Sequence, residues 1–293
     1  MKLSPGPEDS TVTALLAEGV RRLRGVGTNP APGASPDLDA QMLLAHALAV
    51  PRARLKSHPE NLVDEPAAHA FRALLERRAA GEPLAYLTGS RDFWSLRLTV
   101  SPAVLVPRPE TELLVERALF LRTAPEGRVA ELGTGCGAVA LALAAERPRW
   151  QITATDISAE ALEVARANAA RLRLSVQFRQ GNWFEPLAGM CFDIVASNPP
   201  YVAADDPAMA SGALEHEPRL ALTPGADALA SLRAIVRGAP RHLLRGGWLL
   251  LEHGAQQSEQ VRNELVLAGF RYVRSHRDLA GHERVTEARY GQV

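Results

Sequence analysis

The sequence predicts an α/β protein: a mainly parallel sheet with helices on both faces, preceded by a smaller all-helical region. Three observations lead there. Beyond Pro125, short apolar segments alternate with helical stretches, the signature of strands connected through crossover helices. From about Ser10 to Ala80 the apolar residues recur only at helical spacing. Within the first of these regions, "VAELGTGCGAVALALA" runs strand, glycine turn, helix.

In the helical region, Val12, Leu15, Leu16 and Val20 recur at three and four, as do Leu38, Met42, Leu43, His46 and Ala47. "NPAPGASPD" (29–37) separates these two helices, with Ser35 or Asp37 as the expected cap. A further helix is expected over Pro66 to Ala79, stopping near Gly81. His46, His58 and His69 are scattered and read as structural or solvated. Phe93, Leu96, Leu98 and Val100 then take strand spacing around Trp94 and Ser95, which predicts a short hairpin. "VPRPET" (106–111) opens the next helix.

In the remainder, strands are expected at Val129–Leu132, Ile152–Thr155, Val176–Phe178, Phe192–Ala196 and Trp248–Glu252. Helices are expected near Ala138–Glu146, Ala159–Leu172 and Asp227–Leu244. Two more strands, Phe270–Arg274 and Arg284–Tyr290, meet at a turn around Gly281.

Composition narrows the function. Acidic and basic residues balance at 33 each, and the first ninety residues carry ten of each sign, so no global field recruits nucleic acid or an anionic membrane. Lys2 and Lys56 are the only lysines; this reads as a coding preference for arginine. Cys136 and Cys191 show no metal-ligand spacing, and no metal is expected. No apolar stretch reaches the roughly 18 residues of a membrane span, and the N-terminus lacks a signal-peptide core, so the expected compartment is the cytoplasm.

Gly133, Gly135 and Gly137 occupy alternate positions, which lets the backbone turn sharply and approach a ligand closely. Asp156 ends the next strand, 23 residues after Gly133, where a carboxylate can accept both hydroxyl hydrogens of an adenosine ribose. The spacing G-x-G-x-G, followed directly by small apolar residues, differs from the dinucleotide pattern, which keeps a helix N-terminus free for pyrophosphate. S-adenosylmethionine has no phosphate, and with Glu131 and Asp156 in register it is the expected cofactor. Cys136 reads as a small residue that fits the loop, since no His is positioned to activate it.

"SNPPY" (197–201) follows the strand Phe192–Ala196; consecutive prolines cannot continue a central strand. A planar NH2 conjugated to a carbonyl or an aromatic ring is a poor nucleophile. Two acceptors aimed at its hydrogens hold it and favour pyramidalisation as the transition state forms. The side-chain oxygen of Asn198 and the backbone carbonyl of Pro199, its direction set by Pro200, suit that task. Tyr201 offers an aromatic surface for a planar acceptor or a sulfonium. Trp183, in "GNWFEPL" (181–187), is expected beside adenine. No strong general base is required, because the methylated nitrogen becomes acidic.

The chain resembles the HemK/PrmC family of protein-(glutamine-N5) methyltransferases. The resemblance rests on "GEPLAYLTGSRDFWSLRLTVSPAVLVPRPETELLVE" (81–116), "ELGTGCGAVALALA" (131–144), "ATDIS" (154–158), "GNWFEPL", "SNPPY" and "ERVTEARY" (283–290). Segment 81–116 is the family-specific part. The resemblance implies a class I S-adenosylmethionine-dependent methyltransferase with a Rossmann-like seven-stranded sheet. It implies an N-terminal helical bundle for substrate recognition (1–85), a β-hairpin linker (86–107) and the methyltransferase domain (108–293). It places the cofactor on Gly133, Thr134, Gly135, Cys136, Gly137, Asp156, Trp183 and Asn198, and the substrate loop on Asn198, Pro199, Pro200 and Tyr201. Asn198, Pro199 and Tyr201 are the expected catalytic positions. The implied substrate is the glutamine of the Gly-Gly-Gln motif in class-1 peptide chain release factors, with an effect on translation termination. Asn182 stands where relatives often carry Asp. The "PRPET" loop is expected to close over the site. The rival readings are a DNA or RNA amino-methyltransferase, acting on adenine N6 or cytosine N4, and a non-catalytic cofactor-binding interaction module.

Overall fold

The computed structural model describes residues 11–25, 35–210 and 212–291. The chain divides into two compact units, Met1–Gly89 with Ala210–His216, and Ser90–Met209 with Glu217–Val293.

The first unit holds α1 (Val12–Gly25), α2 (Pro36–Ala47), α3 (Arg52–Ser57), α4 (Glu65–Ala79) and α5 (Leu84–Thr88). Ser35 caps α2, its hydroxyl accepting from the Leu38 amide, and Asp64 caps α4 through the Ala67 amide. The rest of the loop expected before α2, residues 29–34, lies outside the described residues. Leu15, Leu43, Leu44, Phe71 and Leu75 are fully buried in one core; each such side chain contributes roughly 1.5–3 kcal/mol. The phase of α2 differs from the expected one. Leu38 and His46 face solvent, while Ala40, Leu43 and Leu44 face inward. The reason is close helix packing: a Cβ on Gly19 of α1 would lie 2.9 Å from Phe71 Cζ and 3.1 Å from Ala40 Cβ, so only small residues fit along that seam. His58 and His69 are exposed.

The second unit opens with the hairpin β1 (Ser90–Phe93) and β2 (Leu96–Thr99), turning at Trp94 and Ser95 as expected. A 3-10 turn, Pro109–Thr111, leads into α6 (Glu112–Leu121). The succession is then β3 (Gly127–Leu132), α7 (Ala138–Glu146), β4 (Trp150–Asp156), α8 (Ala159–Leu172), β5 (Gln177–Gln180), β6 (Phe192–Ser197), α9 (Arg219–Leu222) and α10 (Ala230–Gly238). It ends with β7 (Leu243–Glu252), α11 (Ser258–Leu267), β8 (Arg271–Arg277) and β9 (Glu283–Arg289). The seven strands of the main sheet are ordered β5-β4-β3-β6-β7-β9-β8, and only β9 runs antiparallel to its neighbours. Central strands in such a sheet are covered on both faces, which is why β3 and β6 read as nearly continuous apolar runs. α7 is apolar all round and buried from Ala138 to Ala144.

The helix expected over Asp227–Leu244 is shorter. α10 ends at Gly238, Pro240 sits in a 3-10 turn, and Leu243 and Leu244 already belong to β7. β7 continues through Gly247, where a Cβ would approach the Leu244, Asp193 and Phe192 carbonyls at 2.9–3.1 Å. The register against β6 shifts between Phe192 and Ile194. A glycine pair that resembles a loop in sequence is thus a bulged strand.

The chain passes to β4 on one side of β3 and to β6 on the other, so β3 and β6 border a topological switch point. Crevices at the carboxyl ends of strands flanking such a point are where open α/β sheets bind ligands. Among the described residues, no helix is long and apolar enough to cross a membrane.

Candidate active site

Turns following β3, β4, β5 and β6 meet at one cavity of about 430 Å³, within the roughly 300–1,000 Å³ typical of small-molecule sites. Gly133, Gly135, Asp156, Trp183, Asn198 and Pro200 line it. Ala103, Val104 and Leu105 supply another wall, and Pro218, Leu220 and Ala221 supply a third. These last two segments are joined by Glu217, whose buried carboxylate accepts the Val106 amide at 3.0 Å and an Arg108 guanidinium N–H.

The glycine loop is built by backbone demand. Gly133, Gly135 and Gly137 take φ of 71°, 55° and 88°, a region L side chains rarely enter. The Gly133 and Thr134 amides donate to the Thr155 carbonyl at 2.8 and 3.0 Å, tying the turn to the end of β4. Asp156 closes the arrangement: Oδ2 accepts the Gly135 amide at 2.8 Å and Oδ1 accepts the Ser158 amide at 3.0 Å. Burial raises its pKa, against the lowering effect of those amides. A Cβ on Gly135 would meet no protein atom within 4 Å. Gly135 lines the cavity, and that open space is part of it. Acceptors beside an aromatic ring, with no cluster of cationic side chains in the lining, fit S-adenosylmethionine better than a dinucleotide.

Glu131 anchors the loop from below. Its Oε2 accepts the Thr134 hydroxyl at 2.5 Å and the Ala140 amide at 2.9 Å. Burial pushes its pKa up from 4.5 to about 8. Between those values the native state keeps a proton that the unfolded chain releases. The resulting contribution to stability is full below about pH 4.5 and is lost as pH rises through about 8. Denaturant midpoints measured from about pH 5 to about pH 8 are therefore expected to fall, and less steeply in Glu131→Gln. A slope unchanged by that substitution would remove Glu131 as its source.

Trp183 follows β5 with φ of 46°, uncommon for a bulky residue. Its carbonyl accepts the Thr155 hydroxyl at 3.1 Å, and its ring edge lies 3.5 Å from where a Gly133 Cβ would stand. Asn182, the departure noted in sequence, also lines the cavity.

β6 stops at Ser197, whose hydroxyl donates to the Leu132 carbonyl at 2.7 Å. Asn198 Nδ2 donates to the Thr111 hydroxyl at 3.2 Å, leaving its Oδ1 as the uncommitted acceptor of a residue that lines the cavity. Pro199 is buried. Tyr201 turns toward the body of the fold: its hydroxyl donates to Glu252 Oε1 at 3.3 Å, and its carbonyl accepts Gln257 Nε2 at 3.0 Å. Burial raises the phenol pKa, so Tyr201 stays neutral.

The cavity thus brings together five of the sequence-selected residues besides Gly133: Gly135, Asp156, Trp183, Asn198 and Pro200. Thr134, Cys136, Gly137, Pro199 and Tyr201 lie outside its lining. Cys136 is buried, which pushes its thiol up to about 12 and leaves it inert. Sequence reasoning missed Thr111, Glu217 and Glu252. A signal existed for the last: a carboxylate ending an apolar strand, as Asp156 does.

Solved structures share this architecture. The hMettl16 catalytic domain, solved in complex with the MAT2A 3'UTR hairpin 6, superposes with a TM-score of 0.56, 16% identity, and coverage of 74% of this chain and 81% of that one. A methyltransferase from Pyrococcus furiosus gives a TM-score of 0.51 and 20% identity over 74% of this chain and 98% of that one. Residues 109–225 match the family profile of the methyltransferase small domain. Fold and profile together define a class I methyltransferase.

Residues 14–89 match the profile of the PrmC N-terminal domain. The release factor glutamine methyltransferase of Vibrio cholerae is 46% identical over 96% of this chain and 97% of its own. That of Xylella fastidiosa (strain Temecula1) is 49% identical over 94% and 97%, and that of Pseudomonas aeruginosa 48% over 86% and 92%. The chain belongs to the release factor glutamine methyltransferase family.

Proposed function

We propose that this chain transfers a methyl group from S-adenosylmethionine to the side-chain nitrogen, N5, of the glutamine in the Gly-Gly-Gln motif of class-1 peptide chain release factors. The cofactor supplies an electrophilic methyl on a sulfonium; everything else falls to the protein. The observation that carries the reading is the Asn198 carboxamide. Thr111 takes its N–H, so Oδ1 is the atom available to a substrate NH2. Pro199 is buried outside the lining but sits between two residues that line the cavity, and its backbone carbonyl, held by the rigid Pro200, is assigned as the second acceptor. Together they hold the flat amide and draw its hydrogens out of conjugation as nitrogen attacks, an arrangement that favours the transition state over the ground state. Asp156 takes the ribose hydroxyls, Trp183 the adenine face, and the Gly133–Gly137 turn the remaining cofactor surface. The methylated nitrogen then loses its proton to water.

The helices of the first unit carry no catalytic cluster and serve to grip the release factor. Balanced charge argues against a nucleic-acid substrate, and the setting of translation termination is the cytoplasm. The test offers release factor and duplex DNA side by side with methyl-labelled cofactor. Label is expected in release factor alone, and not when its Gly-Gly-Gln glutamine is replaced. Label in DNA alone would reverse the assignment.

A further inference from the structure

Glu217 stands one residue before the cavity wall that begins at Pro218, and its partner Val106 stands one residue after the wall that ends at Leu105. Glu217 is 3% exposed and does not itself line the cavity. Its Oε2 accepts the Val106 amide at 3.0 Å, and its Oε1 accepts an Arg108 guanidinium N–H. Burying a charge costs free energy that a well-packed apolar side chain avoids, so holding two loops together does not by itself explain an ion pair here. What the pair supplies is direction. Both partners are donors and each meets its own oxygen, so the position demands two acceptors and no donor, which among side chains only a carboxylate offers. Residues 106–108 are thereby held in one register against residue 217, where apolar packing would let them slide.

From this junction, hydrogen bonds lead to the reacting centre by two routes. The Arg108 carbonyl accepts the Thr111 amide at 3.1 Å, closing the 3-10 turn, and the Thr111 hydroxyl accepts Asn198 Nδ2 at 3.2 Å. On the other side, α9 follows Pro218 directly, and its Leu222 carbonyl accepts the Val202 amide at 3.0 Å, one residue beyond Tyr201. Segments 106–111, 198–202 and 217–222 thus close a ring whose only buried charge-assisted joint is Glu217 among the bonds named. The glycine turn is anchored separately, on Thr155, Glu131 and Asp156.

We propose that Glu217 is a positioning residue for methyl transfer: by locking residues 106–108 and 217–222 in fixed register it holds Thr111 against Asn198, so that the Asn198 oxygen meets the substrate amide in one orientation. This rests on the assignment of Asn198 as the acceptor of a glutamine amide's hydrogens.

The test measures kcat and KM with purified release factor at saturating cofactor, with cofactor Kd measured separately. Glu217→Gln keeps the shape but exchanges one acceptor for a donor, so it must set N–H2 against either the Val106 amide or Arg108. It is expected to lower kcat by about 100-fold, the cost of a misplacement of about 1 Å in a reacting site. KM and cofactor Kd should each stay within a few fold of wild type, because the cofactor turn has its own anchors. Arg108→Lys, still able to donate to the carboxylate, should keep kcat within about tenfold, while Arg108→Met should fall by about 100-fold. Arg108 is partly exposed, so this pair decides the matter even if Glu217→Gln does not fold. A role confined to general stability would multiply in full with any other loss. In an Asn198→Ala background, by contrast, Glu217→Gln should cost no more than a further few fold, since the group it positions is already gone. Wild-type kcat in Glu217→Gln, a loss confined to cofactor Kd, or an Arg108→Met enzyme as active as Arg108→Lys would overturn the proposal. So would a full further 100-fold loss in the Asn198→Ala background. A wild-type enzyme that labels DNA and not release factor would instead strike the substrate assignment, and this proposal with it.

Discussion

Asn198→Ala is expected to lower kcat on release factor by about 100–1,000-fold, the range seen when one preorganised transition-state contact is deleted, while cofactor Kd shifts by no more than a few fold. The physical argument is one of difference. The carboxamide oxygen is nearly idle toward a planar, resonance-stabilised amide. It gains strength as nitrogen pyramidalises and its hydrogens turn acidic, so its removal falls on the transition state. The substitution should leave the fold intact, because Asn198 is only partly buried and its one side-chain partner is the Thr111 hydroxyl. Initial-rate kinetics with release factor as the varied substrate, alongside calorimetric cofactor binding, separate the two effects. A near-normal kcat would remove Asn198 from the reacting centre.

Asp156→Ala should act on the opposite step. Its carboxylate accepts the Gly135 and Ser158 amides at 2.8 and 3.0 Å, so it both shapes the glycine turn and stands at the cavity wall. Alanine leaves two amides without their acceptor and removes the partner of the ribose hydroxyls. Hydrogen bonds to a charged group contribute roughly 1.5–3 kcal/mol each, so a rise in cofactor Kd of at least about 100-fold is expected, close to 3 kcal/mol. Asp156→Asn keeps the shape and one acceptor oxygen and should fall between. With cofactor at saturating concentration, kcat should recover substantially in both variants, in contrast to Asn198→Ala. An unchanged Kd in Asp156→Ala would take the residue out of the ribose site.

Much of the cofactor half of the site was legible because it is local. Three glycines on alternate positions announce a turn that only glycine can make, and the structure gives all three positive φ. Asp156 was legible because a carboxylate closing an apolar strand has few other uses. The substrate half is less local. Asn198 and Pro200 reach the cavity, but Tyr201 turns to Glu252, 51 residues away, and Asn198 to Thr111, 87 residues away. No spacing rule connects such partners. The same limit explains the errors in the fold. Helical period identified α2, but which of its sides packs inward depended on the Gly19 and Ala40 seam. The helix expected over Asp227–Leu244 ends at Gly238, because Pro240 breaks it and Leu243 pairs with Phe192 across the sheet.

Periodicity and punctuation by themselves determined the order of strands and helices, the glycine turn, the Asp156 terminus and the proline-stiffened loop, since each depends on backbone preferences within a few residues. The sheet order, and the junction of β3 with β6 that opens the crevice, were decided only when distant strands paired. So were the Glu217 link between two cavity walls, the bond from Asn198 to Thr111 and the bond from Tyr201 to Glu252. Hydrogen-bond direction in a buried network depends on every partner at once, and those partners become neighbours only in the folded chain.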